Sequence, residues 1–242
     1  MDIIQKPIQH FNDRKEKIEF LIIHCMAFDI DKCYEVFDEF EVSAHYVIEE
    51  SGKIYQLVDE EKRAYHAGLG FWNGIDKDLN SRSIGIELES KTLGQSPYSD
   101  AQLTSLMNLS KDIMKRHNIK SHNVIAHSDI APDRKPDPGI AFPWQDFANN
   151  VIGIWFDINN AKKIEKNDAK TLLSMIGYDV RDDKKLIASA NRFNEKYIKN
   201  EVENQNLHGC FYPFGDDTIL KNKTFLKTLK AVAFEYQKIR TK

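Results

Sequence analysis

Cysteine is scarce in this chain. Three residues in 242, Cys25, Cys33 and Cys210, are too few and too scattered for a disulfide framework. Cys25 falls in an apolar strand pattern and Cys33 in a helical one, so buried free thiols are expected. Neither charge sign dominates: 34 Lys and Arg face 37 Asp and Glu, a formal net charge of −3. That balance excludes bulk electrostatic attraction to nucleic acid or to an anionic membrane. No apolar run approaches the ~18–20 residues that span a bilayer, so no transmembrane segment is expected. The polar start, Met1 to Glu19, has no apolar centre of a secretion signal. A cytoplasmic location follows if the chain is complete, and a periplasmic or cell-envelope one if an export segment was removed. His-Glu-x-x-His is absent, which removes the usual signature of a zinc peptidase. Internal repeats and low-complexity tracts are missing too. What is left is an ordinary globular composition, 41% hydrophobic and 29% charged, long enough for one large domain or two modest ones.

The apolar periodicity sets out the elements. Phe20 to His24 is a continuously apolar strand with turn-rich flanks, as expected at the centre of a sheet. A helix is predicted over Asp31–Phe37, then a hairpin of Ala44–Glu49 and Lys53–Val58 turning at Ser51-Gly52. A glycine- and aromatic-rich loop spans Ala64–Ser81. In Ser83–Glu89, Ile84, Ile86 and Leu88 alternate with Gly85, Glu87 and Glu89, the pattern of a half-exposed strand. Ser99 or Asp100 can cap a helix to His117 whose apolar face is Leu103, Leu106, Met107, Ile113 and Met114. Asn123–Ala126 is a buried strand that ends at His127. Beyond Trp155 the texture becomes helical, over Asp168–Ile176, Asp183–Lys199 and Lys221–Ile239, with a stop at Gly177-Tyr178-Asp179-Val180. The pattern predicts an α/β fold, a mixed central sheet flanked by helices, over residues 1–158. A small all-α module follows over 159–242, without clustered acids, histidines or nucleophiles.

Chemistry concentrates in His127-Ser128-Asp129-Ile130-Ala131-Pro132-Asp133-Arg134-Lys135-Pro136-Asp137-Pro138-Gly139. Pro136 and Pro138 bias Lys135 and Asp137 towards extended geometry, which would point both side chains into one cavity. His24 and His127 close two strands that can be neighbours. With one carboxylate they form a His₂Asp set, which leaves a zinc ion its fourth position for water. Such an ion lowers the pKa of bound water from ~15.7 to about 7. Asp129, Asp133 and Asp137 are all within loop reach of His127, and the prolines favour Asp137 only moderately. For proton transfer Glu87 and Glu89 share a strand face. Glu87 is the deeper, where desolvation raises a carboxyl pKa, and Glu89 is expected to face solvent.

Four segments carry a resemblance: Ser43-Ala44-His45-Tyr46, Arg63-Ala64-Tyr65-His66-Ala67-Gly68, Ser83–Glu89, and His127 through Phe142-Pro143-Trp144. In this order they resemble the zinc-dependent N-acetylmuramoyl-L-alanine amidases of the AmiD/AmpD type, related in fold to peptidoglycan recognition proteins and phage lysozyme-type amidases. The resemblance covers Phe20 to Trp155. It implies one Zn²⁺ per chain held by His24, His127 and Asp137, with Glu87 as general base and acid and Lys135 as the cation on the scissile carbonyl. The implied substrate is peptidoglycan or a muropeptide, cut between N-acetylmuramic acid (or its anhydro form) and L-alanine. The alternative is a non-catalytic recognition module of the same fold. Tyr65 departs from the tryptophan usual before His66. His45 and His66 are groove-lining or outer-sphere candidates. Arg134 can grip a substrate carboxylate or pair with Asp133, and Trp72 and Asn73 are candidate rim contacts. Leu172–Val180, with Ala190 and Phe193, resembles the small peptidoglycan-binding-like module of AmiD-type enzymes.

Overall fold

Two short strands open the chain in the computed structural model, which describes residues 2–198 and 217–240: β1 (Ile3–Gln5) and β2 (Phe11–Asp13). Both are half-exposed three-residue pieces, too brief for an apolar period to announce them. The fully buried β3 (Phe20–Met26) runs two residues beyond its predicted end. Helix α1 (Ile30–Glu39) starts where the Asp29 carboxylate accepts the Lys32 N–H. The hairpin pairs β4 (Tyr46–Ile48) antiparallel with β5 (Ile54–Gln56). β6 (Lys62–Ala64) pairs with β2 in a separate two-stranded ribbon. β7 (Ser83–Glu89), α2 (Asp100–His117) and β8 (Val124–Ala126) complete this part.

The sheet order is β1-β5-β4-β7-β3-β8, parallel except between β4 and β5. This is the mixed sheet with helices that the sequence predicts. Ile30, Cys33 and Phe37 of α1 pack with Met26, Val47, Leu57 and Val58 in one core. Ser99 caps α2 by accepting the Gln102 N–H. The buried face of α2 is Gln102, Leu106, Leu109, Ser110 and Ile113. It is rotated from the predicted face, because the Gln102 amide donates to the Ile48 and Glu89 carbonyls and turns that edge inward. Cys25 and Cys33 are buried free thiols, and burial pushes both up. Cys210, and Lys199 at the predicted end of a helix, lie outside the described residues.

The chain divides into two compact units. The first holds Met1–Gly70, Asp76–His127 and Asp137–Phe142; the second holds Phe71–Ile75, Ser128–Pro136 and Pro143–Lys242. The second unit contains α3 (His127–Ile130) apart from its first residue, α4 (Trp144–Asn149), α5 (Ala169–Ile176), α6 (Asp183–Tyr197) and α7 (Lys223–Arg240). Gly177 ends α5 as predicted, at φ 133°. Inside this unit, three side chains on one face of α6 hold the segment Ser128–Pro136. Lys196 meets Asp129 at 2.5 Å, Arg192 donates to the Pro132 carbonyl, and Lys185 meets Asp133 at 2.8 Å. The Tyr178 hydroxyl donates to Asp129 at 2.5 Å, and the Lys196 ammonium lies 3.9 Å from the centre of the Trp144 ring. Asp129 is thereby a structural group, which its sequence position beside His127 does not reveal.

Removing one partner of such a buried pair leaves an uncompensated charge. Lys196→Met is expected to destabilise the protein by about 3–5 kcal/mol, read as a lower urea midpoint at unchanged slope. An unshifted midpoint would mean that the pair contributes nothing.

Candidate metal centre

Strand register assembles the site. β3 runs parallel to β7 with His24 opposite Glu87, and parallel to β8 with Ile23 opposite Ala126. The next residue after each of these, His24 and His127, therefore meet at the carboxyl ends of neighbouring strands, where open α/β sheets place their ligands. His24 Nδ1 lies 2.8 Å from His127 Nδ1, and His127 Nδ1 lies 2.9 Å from Asp137 Oδ2. The third side of the triangle, His24 Nδ1 to Asp137 Oδ2, is 3.4 Å. All three residues are buried. A tetrahedral ion with bonds of about 2.0–2.1 Å separates its ligands by roughly 3.3 Å. Two nitrogens and a carboxylate oxygen at these spacings fit a metal ion that keeps a position open. Burial alone would raise the Asp137 carboxyl, but His127 and His24 more than offset it and hold it well below the usual carboxylate range.

Asp137 is not held by an extended strand. The Arg134 and Lys135 N–H groups both bond to the Ala131 carbonyl, and Asp137 and Pro138 lie in a turn. Each proline restricts only the residue before it, so two alternating prolines do not enforce a continuous strand against a competing carbonyl. What fixes the turn is backbone contact. The Tyr98 hydroxyl donates to the Pro138 carbonyl at 2.6 Å. Gly139, at φ 84°, comes so near residues 93 and 94 that a Cβ would sit 2.6 Å from their carbonyl oxygens.

Behind His24 lies a second imidazole. His24 Nε2 is 3.0 Å from His66 Nδ1, and His66 Nε2 is 3.2 Å from Ser83 Oγ. Burial pushes His66 well below its ordinary range, and the neighbouring imidazoles act in the same direction. His45 is wholly buried, its Nδ1 accepting the Gly85 N–H, and burial with the Arg14 guanidinium lowers it to about 3. Neither ring is on a groove wall: both are packed beneath the sheet end. Glu87 is partly exposed, with Oε1 3.9 Å from His24 Nδ1. Glu89 is buried instead of solvent-facing, and its Oε2 accepts the Glu50 N–H.

The profile of the N-acetylmuramoyl-L-alanine amidases matches residues 14–140, more than half of the chain. This chain is an N-acetylmuramoyl-L-alanine amidase by family. Among relatives, Escherichia coli amidase AmiD is 39% identical over 191 residues, 69% of each chain. The 1,6-anhydro-N-acetylmuramyl-L-alanine amidase AmpD of Haemophilus influenzae is 41% identical over 47% of this chain and 60% of its own length. A solved structure of E. coli AmiD, in complex with anhydro-N-acetylmuramic acid-L-Ala-D-gamma-Glu-L-Lys, superposes with a TM-score of 0.73 at 31% identity, covering 90% of both chains.

The other residues singled out in the sequence, Trp72, Asn73, Arg134 and Lys135, fall in the second unit of the amidase. Trp72 is 2% exposed and packs edge-on against Tyr178 and Tyr236. It is a core side chain and not a rim contact: the tight turn it forms with Ile75 folds the indole inward. Asn73 is exposed, and its Oδ1 accepts from Arg240 at 2.7 Å. Asp133 takes Lys185 and Lys184 as partners, and Lys135 and Arg134 are half-buried. Sequence reading missed Ser83, Asn80 and Tyr98. Their signal was weak, because a hydroxyl or amide becomes a site residue only through partners distant in sequence. Among the described residues of the amidase, no helix is long and apolar enough to cross a membrane.

Proposed function

We propose that this amidase hydrolyses the amide bond joining the lactyl group of N-acetylmuramic acid, or of its anhydro form, to L-alanine of the stem peptide. The observation that carries the reading is the convergence of His24 Nδ1, His127 Nδ1 and Asp137 Oδ2 beside Glu87. The name of the AmiD relative and the muropeptide bound in its structure support the choice of bond. His24, His127 and Asp137 would hold Zn²⁺. When bound, the ion supplies a Lewis acid that polarises the carbonyl and acidifies water. Glu87 accepts a proton from the attacking water as the new C–O bond forms, and returns it to the alanine nitrogen as the C–N bond breaks. Lys135 is the cation for the charge that gathers on the carbonyl oxygen, a preorganised interaction whose loss costs on the order of 10²–10³ in rate. Region 159–242 is assigned wall-polymer recognition in the same reading.

Purified chain incubated with anhydro-muropeptide, with soluble muropeptide and with sacculi is expected to release peptides that begin with L-alanine, seen by mass spectrometry. Chelator should stop the release and zinc restore it. Cleavage at another bond, or cleavage indifferent to chelator, would overturn the proposal.

A further inference from the structure

The hydrogen bonds behind His24 run in one direction only. The Leu79 carbonyl can only accept, so the Ser83 hydroxyl, 2.5 Å away, donates to it. That carbonyl is itself fixed in a turn by the Arg82 N–H. With its single hydrogen committed, Ser83 Oγ can only accept from His66 Nε2. A ring that donates from Nε2 and carries one hydrogen presents a lone pair at Nδ1. His66 Nδ1 therefore accepts from His24 Nε2–H, and His24 in turn presents a lone pair at Nδ1, the atom that faces His127 and Asp137.

We infer that Ser83 and His66 are positioning residues that set the tautomer of His24, so that its Nδ1 is ready to take a metal. The inference rests on the metal-centre reading above. A second feature supports it independently. Gly85 leaves the space in which the His66 ring lies: a Cβ there would be 2.5 Å from His66 Cγ and Nδ1. Asn80 Oδ1 accepts both the His66 and Ala67 N–H groups, at 3.0 and 2.6 Å, and so clamps the backbone that carries the ring. A ring held by a missing side chain, an amide clamp and a hydroxyl of fixed polarity has one orientation to offer. Metal-bound histidines generally need such an outer partner, and losing it costs 10–100-fold in metal affinity.

The test uses the full chain labelled with ¹⁵N-histidine, loaded with zinc and then stripped of it. In both states wild type is expected to show His24 protonated at Nε2, with a scalar coupling across the hydrogen bond to His66 Nδ1. Zinc affinity is read by competition with a chelator of known strength. Ser83→Ala is expected to weaken the coupling, mix the His24 tautomers in the stripped protein and lower zinc affinity about 10–100-fold. Ser83→Thr, which keeps the hydroxyl, should restore all three. A wild-type His24 protonated at Nδ1 after stripping would overturn the inference, whatever the variants do. Unchanged tautomer and affinity in Ser83→Ala would overturn it too. None of these readouts needs substrate, so a chain that binds zinc in this way and cleaves no muropeptide would sink the proposed activity alone.

Discussion

Asp137→Ala is expected to shed the metal and, with it, all measurable turnover. The site offers two imidazole nitrogens and one carboxylate, so Asp137 is its single anionic donor. Without it, two neutral ligands face a divalent ion in a buried setting, where uncompensated charge is costly. Loss of an outer partner costs 10–100-fold in affinity; loss of the ligand itself should exceed about 10²-fold, or ~2.7 kcal/mol. Chelator competition measures the affinity, and elemental analysis after dialysis measures the retained metal. The neighbouring aspartates cannot stand in. Asp129 is bound to Lys196 and Tyr178, and Asp133 to Lys185. Full zinc stoichiometry in Asp137→Ala would therefore remove the carboxylate from the centre altogether, because no other aspartate of the loop is at liberty to replace it.

How much of this was legible in the sequence can be argued from β7. Its alternation announces a strand, and the structure gives one over the same residues, Ser83–Glu89. The same alternation also suggests a solvent face, and that is wrong: β7 lies between β4 and β3 and is covered on both sides. Polar residues sit on the second face because the face is a site. Gly85 makes room for His66, Glu87 stands opposite His24, and Glu89 accepts a backbone N–H. Periodicity reports polarity and cannot tell water from a functional cluster. His24 and His127 were readable as the ends of two strands that could be neighbours; the parallel register of β3 and β8 that makes them so is a finding of the structure. The turn that aims Asp137 was not readable. It depends on Tyr98, Gly94 and Gly139, which meet only after α2 and the final loop have folded back. The division into units was hidden for a related reason. The segment Ser128–Pro136 is polar and lies mid-chain, but its partners on α6 are more than fifty residues away.

Glu87→Gln is expected to keep the metal and lose on the order of 10²–10⁴ in kcat, with KM near that of wild type. The substitution preserves shape and hydrogen-bonding reach but cannot accept a proton. Geometry separates the two roles a carboxylate could play here. Glu87 Oε1 is 3.9 Å from His24 Nδ1, whereas Asp137 Oδ2 is 3.4 Å from it and 2.9 Å from His127 Nδ1. The aspartate completes the triangle, and the glutamate oxygen lies outside it. A group acting on the reacting atoms lowers kcat and kcat/KM together. Glu89 cannot take over: it is two residues further along β7, buried, with Oε2 engaged by Glu50. Wild-type turnover in Glu87→Gln would take that residue out of proton transfer, and metal loss would place it among the ligands. Either result would leave the departing alanine nitrogen without a proton donor on this strand.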